Sequence, residues 1–386
     1  MIKIYEKVDC CGCSACFNIC NRNAIRMVAD KEGFEYPKVN DKDCINCGRC
    51  EKVCPVICRK NIDLGQKNYK DLHALRHKNE SILASSSSGG AFFAIAEYVV
   101  SNGGYVIGAA YSDDMVVQHV VASTLEECAK LQGSKYSQSD AKDVFPKIKD
   151  LLKEGKMVLF TGTPCQVDGL RNYLSKPYDT LITMDVVCHA VPSPMIFREY
   201  VDYVSRKIGK RLKNIAMRDK RIYGWSHRFS YRYDFHNNTS IYDSPKVENW
   251  GRLFFSRLID RPSCHDCRYT NLFRPGDITV ADFWDDDNLR PDIKSTKGTS
   301  LFIVNSDNGI KVLEAICPKL EVWAITEQEA MQPCLIHPTT VNPKRKDFWE
   351  YYNEKGFDAA YNRFFKNSIL KRIKRHLRSL LKRKKF

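Results

Sequence analysis

Two cysteine runs, Cys10-x2-Cys13-x2-Cys16-x3-Cys20 and Cys44-x2-Cys47-x2-Cys50-x3-Cys54-Pro55, place eight thiols at the spacing that grips iron-sulfur cubes. Three thiolates on one tight loop hold three irons of a 4Fe-4S cube, while the fourth cysteine of the run points away and completes the other cube. The spacing therefore assigns Cys10, Cys13, Cys16 and Cys54 to one cluster, and Cys44, Cys47, Cys50 and Cys20 to a second. Zinc and free thiols are weaker readings, because zinc sites favour paired Cys-x2-Cys motifs. Asn21 stands where the first run would carry proline, which weakens the local turn and leaves all eight ligands.

A second group of thiols is more dispersed. Cys165 and Cys188 each follow a short apolar run, and Cys264-x2-Cys267 lies further on. Two strand-end cysteines and one Cys-x2-Cys pair make four thiolates that a fold could converge, and these residues alone support zinc almost as well as iron-sulfur. Cys11 and Cys58 read as unligated packed thiols, and Cys128, Cys317 and Cys334 have no assigned task.

Other residues could meet an anion or move a proton. Ser87, Ser88, Gly89 and Gly90 precede an apolar helix, so small residues and a helix N-terminus offer a phosphate cradle; a mere turn and cap is the plainer reading. Lys135, with Tyr136, could neutralise a phosphate, or could be an exposed lysine. Gly162 and Thr163 occupy a loop at a strand end, where cofactors sit in α/β sheets. His189, beside Cys188, is a candidate catalytic proton donor because its pKa is near neutrality, although a lone histidine is more often structural. From 206 to 232 the chain carries ten basic residues and one acid, Asp219, either a solvated face or a surface for an anion. Trp225, Phe229, Tyr231, Tyr233 and Phe235 alternate with polar residues, which reads as a strand with one core-facing aromatic side.

The elements that must position these groups follow from periodicity. Strands are expected at 105–110, 116–121, 157–161, 181–187, 277–281 and 299–304, and helices at 91–100, 144–154, 166–174 and 309–316. Thr124 with Glu127 is a capping box, Asp143 is a possible N-cap, and residues 30–34 suggest a hairpin turn. Residues 342–346 read as a linker.

The chain has 386 residues, 43% of them apolar and 28% charged, so it can bury at least one large core without disulfide staples. No apolar run is long enough to span a bilayer and the first residues lack an apolar export region, so a reducing cytoplasmic setting is expected. Ten of the 17 cysteines lie between 10 and 58. Residues 1–62 carry eleven basic and eight acidic groups, a balance suited to a wire built into a larger protein. Of the +15 net charge, eleven positive charges sit in the last 24 residues, where Ile369, Leu370, Ile373, Leu377, Leu380 and Leu381 recur at helical spacing. A basic amphipathic helix of this kind can lie on an anionic membrane surface or a partner protein; nucleic acid is a weaker partner because the body has no module for it.

Several segments together resemble the coenzyme F420 hydrogenase/dehydrogenase beta subunit family. They are Ser86-Ser87-Ser88-Gly89-Gly90, Gly133-Ser134-Lys135-Tyr136-Ser137-Gln138-Ser139, Leu159-Phe160-Thr161-Gly162-Thr163-Pro164-Cys165-Gln166, Asp185-Val186-Val187-Cys188-His189 and Pro192-Ser193-Pro194. Arg218-Asp219-Lys220 before Gly224-Trp225, and Cys264-x2-Cys267 before Asp277-Ile278 and Asp282-Phe283-Trp284, complete the set over residues 80–335. The resemblance implies an α+β chain with three parts. A bacterial-type 2×(4Fe-4S) ferredoxin domain at 1–62 precedes a mixed α/β flavin and iron-sulfur domain at 63–345, and a basic amphipathic helical tail follows at 346–386.

The resemblance also implies a third 4Fe-4S cluster on Cys165, Cys188, Cys264 and Cys267, and FAD held by the Ser87 to Gly90 segment, Lys135, Tyr136, Gly162 and Thr163. The expected activity is an iron-sulfur flavoprotein oxidoreductase. Its electrons would pass between a ferredoxin-like or reductase partner and an unidentified organic substrate, which many family members' gene surroundings place in polysaccharide metabolism. The expected place is the cytoplasm, with the tail peripheral at the inner face of the membrane. An electron-transfer subunit without its own substrate site, and a non-catalytic iron-sulfur binding protein, are the alternatives.

Overall fold

The computed structural model describes residues 1–366 except 64, 228, 229, 245, 248 and 285–289. The basic amphipathic segment expected at 367–386 lies outside the described residues, as does Phe229 of the expected aromatic strand. No helix among the described residues is long and apolar enough to cross a membrane.

The N-terminal module holds a hairpin, β1 (Ile25–Ala29) and β2 (Glu35–Val39), paired antiparallel from Ile25↔Val39 to Ala29↔Glu35. Its turn is the one expected at 30–34: Asp30 Oδ1 accepts from the backbone N–H groups of Glu32 and Phe34. Gly33 has φ +77°, and a Cβ there would stand 2.3 Å from the Met195 Cβ, so the turn lies hard against the helix Pro194–Ile208. The module is thus docked on the body.

The body is built on an eight-stranded sheet. In chain order its strands are β3 (Asp71–His77), β4 (Tyr105–Tyr111), β5 (Val117–Ala122), β6 (Val158–Gly162), β7 (Leu181–Val186), β11 (Ile278–Asp282), β12 (Ser300–Val304) and β13 (Leu320–Ala324). Between β7 and β11 the chain forms a separate small antiparallel sheet, β8 (Leu212–Ala216), β9 (Arg232–Phe235) and β10 (Ser240–Tyr242). The large sheet runs β13-β3-β12-β11-β7-β6-β4-β5; β4, β6, β7 and β11 are parallel neighbours and the strands outside them pair antiparallel.

Alternation of side chains assigns the two faces. On β6, Val158 and Phe160 join a core with Ile148, Val167 and Leu170, while Leu159 joins the opposite core with Ile95, Val99 and Val312. The helix Ala91–Ser101 and the helix Asp307–Ile316 cover that second face; Val144–Lys153 and Pro164–Leu174 cover the first. All five β12 residues are buried, as a strand covered on both faces requires. The Thr124 capping box forms as expected, whereas Asp143 makes no side-chain cap bond.

A third core is aromatic. Tyr200, Tyr231, Tyr233, Phe235, Trp250 and Tyr361 pack in it, closing the small sheet against the helices Pro194–Ile208 and Arg345–Phe364. The core-facing side of the expected aromatic strand is therefore present, but among the described residues only Arg232–Phe235 form a strand there. Trp225 instead stacks on Trp284, centroids 4.6 Å apart. Phe348, Trp349, Tyr352 and Phe357 seat the Arg345–Phe364 helix in the same core, so this stretch is packed on the body.

Charged contacts fasten the module, among them Arg345 of the helix Arg345–Phe364 on Glu32 of the hairpin. Arg59, its side chain 5% exposed, donates from Nε to Asp168 at 2.8 Å and lies 4.4 Å over the Tyr269 ring. Lys142 reaches Glu35 of the hairpin at 2.9 Å. At Gly169 an added Cβ would meet Cys13 Sγ at 2.9 Å and Cys13 Cβ at 3.0 Å, so the module's first cysteine loop rests on the helix that carries Cys165. Gly169→Val is expected to overpack this contact and cost about 1–3 kcal/mol; chemical denaturation that finds no loss of stability would remove that account.

Candidate functional site

The two cysteine loops share one backbone pattern. Two residues after the first cysteine of each run stand Gly12 and Asn46, with φ +71° and +53°; two further on stand Ser14 and Gly48, with φ +64° and +71°. Left-handed residues alternating with ordinary ones turn successive N–H groups toward one concavity, a shape suited to an anionic cluster. The runs then diverge. Pro55 opens the short helix Pro55–Cys58 after Cys54, whereas Asn21 continues into a turn.

Cys10, Cys13 and Cys16 line one cavity together with Cys54 of the other run, which is the crossed set that the spacing expects. Burial, then the neighbouring Cys10 and Cys54, pushes the Cys16 thiol well above its ordinary value, and burial takes Cys54 up to about 11. Thiols in such a place need a cation to be held as thiolates. In the second set Cys50 Sγ accepts from the Ile2 N–H at 3.2 Å, Cys20 caps the helix Ala15–Ile19, and Cys47 is exposed.

The dispersed cysteines also meet. β6 and β7 are parallel neighbours, so their ends lie at one edge of the sheet, where α/β folds form ligand crevices. Thr163 caps the helix Pro164–Leu174 and puts Cys165 in its first turn, with Thr163 Oγ1 at 3.2 Å from Cys165 Sγ. Cys188 follows β7. Cys264 lies in the short turn Pro262–Asp266, its sulfur accepting from Val191 N–H at 3.4 Å, and Cys267 ends that turn. All four line a cavity of about 360 Å³, with Thr163 and His189 on its wall. Burial, then Cys264, Cys165 and Cys267, pushes the Cys188 thiol well above its ordinary range, and burial lifts Cys267 to about 11. Among the described residues no three His, Cys, Asp or Glu side chains stand close enough to hold a single metal ion.

Two thiols without an assigned task belong here. Cys11 lines both the cavity of the first set and that of the dispersed one, so it stands between them. Cys334 Sγ lies 3.0 Å from His189 Nδ1. The sharing of one cavity by Cys11 and Cys165 and the contact of Cys334 with His189 are tertiary, between residues far apart in the chain, and no local spacing announces them. Cys58 is exposed, with its sulfur 3.3 Å from the Lys52 carbonyl; Cys128 is buried in the sheet core and Cys317 is exposed.

His189 is held between Phe254 and Phe255 in edge-on contacts and lies 3.3 Å from Arg257 Nη2. Burial, with Arg257 and Arg218 nearby, lowers it to about 4, so the ring is neutral at ordinary pH.

The residues expected to hold a flavin fall in two places. Gly162 and Thr163 are at the cysteine edge, and Thr163 lines its cavity. Ser87, Ser88, Gly89 and Gly90 lie beside β3 and β12: Ser87 Oγ accepts from Ser134 N–H at 3.1 Å, Ser88 Oγ donates to Thr299 O at 2.7 Å, and Gly89 N–H donates to Ser300 Oγ at 2.9 Å. A Cβ on Gly89 would stand 2.3 Å from Leu75 O, so glycine is needed for the loop to pass between the strands. Gly90, at φ +89°, caps the helix Ala91–Ser101. Lys220 ties this loop down from the basic stretch, its ammonium bonding Leu83 O, Ser88 O and Lys297 O; burial lowers it to about 8.

Lys135 donates to the carbonyls of Lys130 and Gln132 and is lowered to about 7 by desolvation. Tyr136 connects the two places, packing on Phe254 at 4.8 Å while its hydroxyl accepts from Arg218 Nε at 3.4 Å. Arg218 in turn lies 5.0 Å over Trp284, whose indole stacks on Trp225. The 206–232 stretch is therefore partly neutralised from within: Arg221 and Arg232 pair with Asp219, and Arg218 faces Asp282.

Asp185 and Asp277 are structural. Asp185 is fully buried and accepts from Arg274 Nη2 at 2.6 Å, Gly276 N–H at 2.9 Å and Thr279 Oγ1 at 2.9 Å. Asp277 accepts from the Thr183 N–H and hydroxyl and from Arg171. Together they clamp β7 to the chain entering β11.

Residues 155–328 match the family described as coenzyme F420 hydrogenase/dehydrogenase, C terminus of the beta subunit, and residues 9–58 match a 4Fe-4S dicluster domain. A curated relative, the coenzyme F420-dependent sulfite reductase of Methanocaldococcus jannaschii, is 26% identical over 212 residues, 52% of this chain and 31% of the relative. The chain thus spans about a third of the length of that relative. Among solved structures, a chain of the F420-reducing NiFe hydrogenase complex from Methanosarcina barkeri in its xenon-derivatised form is 18% identical, with a TM-score of 0.46 over 78% of this chain and 92% of that one.

Proposed function

We propose that this chain, which matches the coenzyme F420 hydrogenase/dehydrogenase beta subunit family over residues 155–328 and a 4Fe-4S dicluster domain over residues 9–58, is an iron-sulfur flavoprotein oxidoreductase acting on an organic substrate. The observation that carries this reading is that Cys11 lines both the cavity of Cys10, Cys13, Cys16 and Cys54 and that of Cys165, Cys188, Cys264 and Cys267, which sets the ferredoxin module beside the dispersed cysteines.

Cys10, Cys13, Cys16 and Cys54 would hold one cluster, Cys20, Cys44, Cys47 and Cys50 a second, and Cys165, Cys188, Cys264 and Cys267 a third. For the last set, four thiols lining one cavity of about 360 Å³ support a cube, which needs more room than a single zinc ion. When bound, clusters supply one-electron transfer and FAD converts it to the two-electron chemistry of organic acceptors.

The chain's own residues supply position and charge. Tyr136 and Arg218 form an aromatic and cationic wall between the cysteine edge and the Trp225 and Trp284 pair. Flavin binding would use this wall with Ser87, Ser88, Gly90, Lys135 and Thr163; Gly89, whose N–H is taken by Ser300, would serve the loop's path. His189 faces the same cavity, but with its pKa lowered to about 4 it is neutral and suited to a hydrogen bond there and not to the proton donation that a near-neutral pKa would allow. Cys47, exposed at the outer end of the module, fits an electron-donor or acceptor protein docking there. A role in polysaccharide metabolism, and cytoplasmic action with the C-terminal segment at a membrane, complete the proposal.

Anaerobic purification and reconstitution tests it. About twelve irons per chain, four for each cube, with one flavin, are expected. Eight irons with one flavin would remove the third cluster, and reconstituted chain free of flavin would remove the flavoenzyme.

A further inference from the structure

Arg261 is 1% exposed and has no carboxylate at ion-pair distance among the described residues. It leaves the chain three residues before Cys264, to whose N–H its carbonyl is bonded, and reaches into the first cysteine loop of the module. There Nε donates to Cys10 O at 2.7 Å, Nη2 to Glu35 O at 2.8 Å and to Cys10 Sγ at 3.5 Å, and Nη1 to Gln138 Oε1 at 2.8 Å. The rings of Phe34 and Tyr36 lie 5.3 and 4.6 Å from the guanidinium carbon. Gly12 makes room for it, since a Cβ there would stand 2.6 Å from Nη1. The guanidinium also lies within the electrostatic reach of Cys11 and Cys264.

Carbonyls, an amide and two aromatic faces satisfy its donors but do not neutralise it. A buried charge ordinarily has an opposite charge beside it. Here the nearby groups that can become anionic are the Tyr36 phenol and thiols, among them Cys10 and Cys264 of two cluster sets. We infer that Arg261 is a positioning residue that sets redox potential: it raises the reduction potential of the cluster held by Cys10, Cys13, Cys16 and Cys54, and to a smaller degree that held by Cys165, Cys188, Cys264 and Cys267. The inference rests on the cluster assignment proposed above.

The physical reason is direct. One-electron reduction makes a cluster more negative by one charge, and a fixed cation with an N–H aimed at a ligand sulfur favours that state; cluster potentials follow net charge and hydrogen bonds to sulfur. Arginine keeps its proton throughout, so no proton transfer accompanies the electron. The sulfur that receives its N–H belongs to Cys10, and the far set of Cys20, Cys44, Cys47 and Cys50 takes its own N–H from Ile2, so that cluster is an internal reference.

The test is anaerobic titration of the reconstituted full chain with dithionite and redox mediators, read by electron paramagnetic resonance, with the first cluster assigned by its loss in a Cys16→Ala chain. Arg261→Gln should lower that cluster's midpoint by the equivalent of a tenfold change in its oxidised-to-reduced ratio, about 59 mV for one electron. Arg261→Lys should stay near wild type. Should the glutamine variant fail to load iron, Gln138→Glu gives the same reading with Arg261 in place: its carboxylate neutralises the guanidinium and should also lower the midpoint, while Gln138→Met should not. A loaded chain whose midpoint stays put in both Arg261→Gln and Gln138→Glu, or in Gln138→Glu alone where the first cannot load, overturns the inference and leaves the clusters standing. A wild-type chain that takes up no cluster overturns both.

Discussion

A Cys188→Ala chain should hold about eight irons where the wild type holds about twelve, because each cube needs four. The loss is expected to be selective. Cys188 reaches the cavity from the end of β7, and the other three thiols come from a helix N-terminus and a separate turn. None of these elements supplies a ligand to the module's first set, so that set should load normally. Cys334 stands beside His189 and influences Cys188, and Cys11 lines the same cavity, which makes both thiols substitute ligands at hand. The triple variant Cys188→Ala, Cys334→Ala, Cys11→Ala closes both routes. Iron and acid-labile sulfide per chain, with spectra of the two remaining clusters, give the answer; twelve irons in the triple variant would end the third-cluster assignment.

The second large effect concerns folding. Asp185→Ala is expected to destabilise the chain by about 3–5 kcal/mol, the usual consequence of leaving one member of a buried ion pair alone. Arg274, its side chain 1% exposed, would lose its carboxylate partner, and Gly276 N–H and Thr279 Oγ1 would lose an acceptor. Against a total of about 5–15 kcal/mol for a typical domain, that is a large fraction. Adding Arg274→Met to Asp185→Ala should recover part of the loss, since it removes the stranded charge. Urea unfolding followed by circular dichroism reads both variants. An Asp185→Ala chain as stable as wild type would show that the clamp between β7 and β11 contributes nothing.

Much of the site was legible because thiol chemistry constrains spacing locally. The crossed set of Cys10, Cys13, Cys16 and Cys54 is an expectation from two runs of sequence, and the four residues line one cavity. Cys165 and Cys188 were readable as strand ends because β6 and β7 are short, apolar and buried. What spacing cannot show is which distant loop comes to rest on which. Cys11 shares a cavity with Cys165, and Arg261 meets Cys10, across gaps that only the docking of the module closes. The Ser87 to Gly90 loop carries a second lesson. Its small residues suggested an anion cradle, yet Gly89 also satisfies a purely steric demand between β3 and β12. Periodicity likewise identified the core face of Tyr231, Tyr233 and Phe235, while Trp225 stacks on Trp284 outside the strand Arg232–Phe235.

The handedness shared by the two cysteine loops has a consequence for how such a module can vary. Gly12, Ser14, Asn46 and Gly48 have little side-chain chemistry in common, yet they occupy matching positions with the same sign of φ. What the duplication preserves is a torsional signature. Glycine, asparagine and serine can carry it at modest cost, whereas valine, isoleucine or threonine at any of the four would be strained by its own Cβ substituents. The two halves can therefore drift apart in composition and still remain superimposable in backbone, so that their kinship is written in dihedral angles more durably than in letters.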